Sequence, residues 1–90
     1  MHPADAERLR RSRVDIVADL DVHLVLDRLI QSSIIVSEDH ELISSKPTSQ
    51  ERARLLLDIL PTRGPQAFGI FVQALREANY TWLADKLVNQ

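Results

Sequence analysis

An all-α bundle of six short antiparallel helices is the fold this 90-residue chain predicts, and three observations carry it. Apolar residues recur at i, i+3, i+4 and i+7 in segment after segment, and no segment alternates with period two over a useful length. Caps, prolines and a glycine punctuate the chain at short intervals. No internal repeat or low-complexity tract competes. With 44% hydrophobic residues, 27% charged residues and only two glycines, the composition is globular. Residues 1–90 read as a single domain able to bury roughly 60–65% of its unfolded surface, enough for one core.

The first helix is expected from about Ala4 to Leu20, with Leu9, Ile16, Val17 and Leu20 inward. Extending that stripe puts Ser12 or Arg13 where a hydrophobe is expected, so the helix is predicted to bend near Arg11 to Arg13 and to turn Arg13 outward. Val22, Val25, Leu26 and Leu29 make the second stripe, and Ile34, Ile35 and Val36 a short apolar connector. Ser37 is the expected cap of a short third helix, with Glu38 and Asp39 in its first turn, where carboxylates suit the helix dipole. That helix should end near Lys46, because Pro47 disfavours a helical Lys46.

Thr48 and Glu51 form a capping-box pattern that starts the fourth helix. Ala53, Leu56, Leu57 and Leu60 face the core; Glu51, Arg54 and Asp58 share the wet strip with Arg52 beside it. Pro61 predicts a frayed last turn or a kink across Leu60 to Arg63. Gly64 supplies a left-handed helix end, and Pro65 suits the first position of a fifth helix whose stripe is Phe68, Phe71, Val72 and Leu75. The sixth should start around Asn79 to Thr81 and bury Tyr80, Leu83, Ala84, Leu87 and Val88.

Several functional classes find no support in the residues. Without cysteine there are no disulfides, thiolate metal sites or cysteine nucleophiles, which fits a reducing compartment. There is no glycine-rich phosphate loop, and His2, His23 and His40 stand far apart, so no enzyme, metal or cofactor is expected. His40, between Asp39 and Glu41, reads as an exposed histidine on a charged helix, and Tyr80 and Trp82 as core or half-buried packing. A net charge of −2 argues against a general nucleic-acid binder. No stretch approaches a membrane span or a signal core, so a soluble, cytosolic protein is expected.

Charge is unevenly distributed. Arg8, Arg10, Arg11 and Arg13 crowd the first helix and Arg52 and Arg54 open the fourth, whereas Asp27, Glu38, Asp39 and Glu41 collect on the second and third. These runs are either solvated faces, whose surface pairs contribute about 0–1 kcal/mol each, or complementary surfaces through which one copy docks a partner of the same layout. Composition and spacing do not choose between the two.

Four segments carry a resemblance to a known family. ADAERLRRSR at Ala4 to Arg13 and KPTSQERA at Lys46 to Ala53 resemble an initiator caspase and the apoptosome scaffold. LLLDILPTRGPQAF at Leu55 to Phe68 is similar to an adaptor carrying a death domain, and FVQALRE at Phe71 to Glu77 occurs across the family. In this order and spacing the chain resembles, over essentially its whole length, a caspase recruitment domain (CARD) of the death-fold superfamily. The resemblance implies a Greek-key bundle with a first helix bent in two, no catalysis, and homotypic CARD–CARD contacts that cluster procaspases in apoptosis signalling. Carried over by position, it implies a protein-binding basic set of Arg10, Arg11, Arg13 and Arg54, with Arg52 as neighbour, and an acidic set of Asp27, Glu38, Asp39 and Glu41.

The partner it implies is another CARD protein, whether initiator caspase, adaptor or apoptosome-type scaffold. The role is that of a caspase prodomain or matching adaptor; the alternatives are a CARD-only decoy that blocks caspase activation and an inflammasome-type adaptor. Two unlike patches on one chain make a heterologous contact, which propagates into rings or helical oligomers.

Overall fold

Six helices form in the computed structural model, which describes residues 1–90: α1 (Pro3–Asp19), α2 (His23–Gln31), α3 (Ser37–Ser44), α4 (Ser49–Ile59), α5 (Ala67–Glu77) and α6 (Thr81–Val88). A single 3-10 turn, Leu60–Thr62, closes α4, which is how the chain absorbs Pro61: a proline lacks the amide that a further α-helical turn would use. α1 packs against α4 and α6, α2 against α3 and α5, α3 against α4, and α5 against α6. These non-sequential neighbours give the antiparallel Greek-key arrangement.

All six helices and the α2–α3 connector feed one core of 23 buried hydrophobic residues. The predicted stripes of α2, α4 and α5 are buried in full, with Leu56, Leu60, Phe71 and Leu75 at 0% exposure. In α1, Leu9, Ile16 and Leu20 are buried and Val17 is half-buried. The irregular stretch Arg11 to Arg13 lies inside one continuous helical run. Ser12 takes the inward position at 1% exposure, and the Gln90 side-chain amide meets it, donating to Ser12 Oγ at 2.7 Å and to the Arg8 carbonyl at 3.1 Å. A hydroxyl is tolerated in the stripe because it is hydrogen-bonded, and the bond ties Gln90, just past α6, to α1.

Helix ends follow local chemistry. His2 Nδ1 accepts from the Ala4 amide at 3.1 Å and Pro3 occupies the first position of α1, where no amide is needed. Thr48 Oγ1 accepts from the Glu51 amide at 3.1 Å, the forward half of the expected capping box. The cap of α3 falls one residue earlier than expected. Val36 is the boundary residue and Ser37 is already helical, because the Asp39 carboxylate accepts from the Val36 amide at 3.0 Å.

The fifth helix also starts later than its proline suggests. Gly64 adopts φ +93, a conformation that favours glycine. Pro65 and Gln66 then form a turn closed by the Ala67 amide on the Gly64 carbonyl, so Pro65 precedes the helix.

Three large hydrophobes stay partly wet: Val36 of the apolar connector, Val88 of the expected α6 stripe, and Trp82, read as core or half-buried packing. Val36 is 50% exposed, Val88 39% and Trp82 48%. Tyr80 is half-buried, and its hydroxyl accepts from the Asp21 amide at 3.1 Å, joining the start of α6 to the α1–α2 turn.

A basic seam and an acidic face as the candidate functional site

Of the expected basic residues, Arg10, Arg13 and Arg54 line the α1–α4 seam. α1 and α4 run antiparallel, so one strip of α1 faces Gln50, Arg54 and Asp58, which recur at helical spacing along α4. A groove of about 390 Å³ opens between them, lined by Arg13, Val14, Val17 and Ala18 from α1 and by Gln50 and Arg54 from α4. A second cavity of about 220 Å³ lies further along the seam, with Arg10, Arg13, Leu57, Asp58 and Pro61 among its walls.

The five expected arginines do not behave alike. Arg54 is exposed and makes no ion pair. Arg10 and Arg11 are open to solvent and share one carboxylate, Glu7, with Arg11 Nε 3.3 Å from Glu7 Oε1. Arg13 does point outward, and its Nη1 donates to Asp58 Oδ1 across the seam at 3.0 Å. Arg52 is the exception. Its Nη1 donates to the Lys46 carbonyl at 2.8 Å, and its Nε is buried without a partner. That half-buried guanidinium props the loop before α4.

On the opposite-signed surface, Asp27 of α2 and Glu38 and Glu41 of α3 are exposed and make no ion pair. Asp39 is different. Arg63 grips it in a two-pronged contact, Nη1 to Oδ2 at 2.7 Å and Nη2 to Oδ1 at 3.0 Å, and its side chain is 13% exposed. Burial alone would raise its pKa, but the Val36 amide and the Arg63 guanidinium prevail and hold the carboxyl below the usual carboxylate range. Asp39 therefore clamps α3 to the α4–α5 corner.

Sequence reasoning passed over the apolar members of these surfaces. Val14 is 81% exposed within the basic groove, and Leu24 (58%) and Leu42 (51%) stand on the acidic helices. The signal was available: each is a large hydrophobe lying off the inward stripe of its helix. Asp58, an acid inside the basic seam, was placed on the wet strip without its partner.

An all-helical bundle with unpaired charges of both signs exposed on its helices is a scaffold for contact between proteins. The chain belongs to the caspase recruitment domain family, whose model matches residues 6–90. Such a domain is a recruitment module and not a catalytic fold. Among its relatives, chicken (Gallus gallus) caspase-2 is 33% identical over 82 residues, covering 91% of this chain and 19% of that protein. Bovine (Bos taurus) receptor-interacting serine/threonine-protein kinase 2 is 35% identical over 72 residues, 77% of this chain and 13% of the kinase. Human (Homo sapiens) caspase-9 is 31% identical over 90 residues, 97% of this chain and 21% of the caspase. The chain thus spans about a fifth or less of the length of each. No helix is long and apolar enough to cross a membrane.

Proposed function

We propose that residues 1–90 act as one homotypic CARD that recruits or clusters an initiator caspase or its adaptor in apoptosis signalling, in the cytoplasm. The α1–α4 seam of one domain, through Arg10, Arg11, Arg13 and Arg54, receives the acidic α2–α3 face of another, through Asp27, Glu38 and Glu41. One observation carries the reading: exposed side chains of both signs, Arg54 on α4 and Asp27, Glu38 and Glu41 on α2 and α3, are left without an internal partner. Complementary charges left free on two surfaces speed encounter and fix register between partners.

Arg13 and Arg54 flank the same groove, so the seam presents two guanidinium groups to one incoming surface. Arg13 exchanges its bond to Asp58 for a partner carboxylate on docking. Because the chain holds both faces, each docked copy still offers one free face, and assembly proceeds head to tail into rings or helical oligomers. Single contacts are weak and salt-sensitive, and multiplicity in an assembly supplies the remaining affinity.

The test is a pull-down with the isolated CARDs of initiator caspases and adaptors. Reversing Arg13 and Arg54 to Glu is expected to abolish capture while helicity and Tm stay near wild type. Capture that survives both reversals overturns the reading.

A further inference from the structure

We infer that the α1–α4 groove is a socket for Leu42 of a second copy of this chain, seated between two arginine–carboxylate contacts. The inference rests on the docking mode proposed above and adds to it an apolar anchor and a particular pairing.

Val14 is the most exposed large hydrophobe of the molecule at 81%, and it stands beside Val17 and Ala18 on the α1 side of the groove. Arg13 and Arg54 line the same groove from the two helices. An apolar surface between two guanidinium groups suits an apolar side chain flanked by carboxylates. A phosphate backbone would satisfy the cations and leave the valines unmet.

That counterpart exists on α3. Glu38, Glu41 and Leu42 fall within about 100° of arc at 3.6 residues per turn, and all three are exposed. Leu42 is 51% exposed, half its surface still available to bury. Leu24, on α2, is more exposed at 58%, yet of the two acids one turn away Asp21 accepts from the His23 amide and Asp27 has the cationic Arg28 beside it. Two cations in the groove against two carboxylates around the leucine select Leu42.

Ion pairs taken out of water roughly break even between desolvation and attraction, so the burial of Leu42 against Val14 and Val17 supplies the surplus. This divides the interface into two parts with different salt behaviour. Charge contacts weaken as salt rises, while the leucine contact persists.

The experiment isolates one interface. One copy has its acidic face blanked by Glu38→Ala and Glu41→Ala, the other has its basic face blanked by Arg13→Ala and Arg54→Ala, and calorimetry measures their association. Val14→Ser in the first copy and Leu42→Ser in the second are each expected to weaken binding about tenfold, with the double change little worse than either alone. Both effects should be retained when salt is raised, and circular dichroism should show unchanged helicity. If the blanked copies do not associate at all, the docking mode fails and the inference with it. If they associate and neither serine substitution moves Kd by more than about twofold, or Leu24→Ser couples to Val14→Ser in place of Leu42→Ser, the socket alone is overturned.

Discussion

Replacing Asp39 by alanine removes three bonds at once: two to Arg63, at 2.7 and 3.0 Å, and one from the Val36 amide at 3.0 Å. Hydrogen bonds to charged groups contribute about 1.5–3 kcal/mol net, and a lost helix cap costs about 1 kcal/mol. Arg63 is 29% exposed, so its guanidinium rehydrates and leaves no stranded buried charge, which places the charge part near the lower end. A total of about 2–3 kcal/mol is expected, which lowers Tm by roughly 10–15 °C in a domain of this size.

The pH dependence has a definite sign. Because the folded carboxyl titrates below its unfolded value, its stabilisation is present above the unfolded pKa, about 3.9, and is lost as pH falls through the folded one. The gap between wild type and Asp39→Ala should stay constant from neutral pH down to about 4 and close below it. Asp39→Asn, which keeps an acceptor for the Val36 amide, should recover the cap part only. Thermal denaturation followed by circular dichroism measures all three proteins. An Asp39→Ala variant that melts within about 2 °C of wild type would refute the clamp.

Asp58→Ala breaks an exposed bridge to Arg13 and is expected to change stability by less than about 1 kcal/mol. It should tighten capture of an acidic CARD face in a pull-down, because it frees Arg13 and removes a like charge from the docking surface. Arg52→Ala and Arg54→Ala should separate: the first, which loses the bond to the Lys46 carbonyl, lowers Tm by roughly 5 °C, and the second leaves Tm unchanged while weakening partner capture. Gln90→Ala orphans the buried Ser12 hydroxyl and should cost about 1 kcal/mol in denaturant unfolding. Ser12→Ala, which removes the buried polar group itself, should cost less.

Periodicity located five of the six helices because each buries one stripe against a shared core, and the stripe is written in residue spacing; α3, which buries only Ile43, was legible from its cap and from Pro47. The boundaries moved where a side chain from further along decided them. Asp39 set the start of α3, and the Pro65–Gln66 turn delayed α5. Trp82, read as core or half-buried packing, lies near half exposure, because aromatic character alone does not say which side of a short helix has a neighbour. The candidate site divided the same way. That Arg10, Arg11, Arg13, Arg54, Asp27, Glu38 and Glu41 are charged and off the core stripe is local information, legible in the chain. That Asp39 is held by Arg63, 24 residues away, or that Arg52 folds back on Lys46, depends on tertiary contact. The groove itself, made by α1 and α4 from distant stretches, has no linear signature.

A charge-swap experiment bears most directly on docking by opposite-signed faces. A copy carrying Arg13→Glu and Arg54→Glu is mixed with a copy carrying Glu38→Arg and Glu41→Arg, and sedimentation velocity follows the complex. Each variant alone is predicted to stay monomeric where wild type associates, and the mixture to regain association. A mixture as monomeric as its parts, or single variants that assemble like wild type, would contradict it.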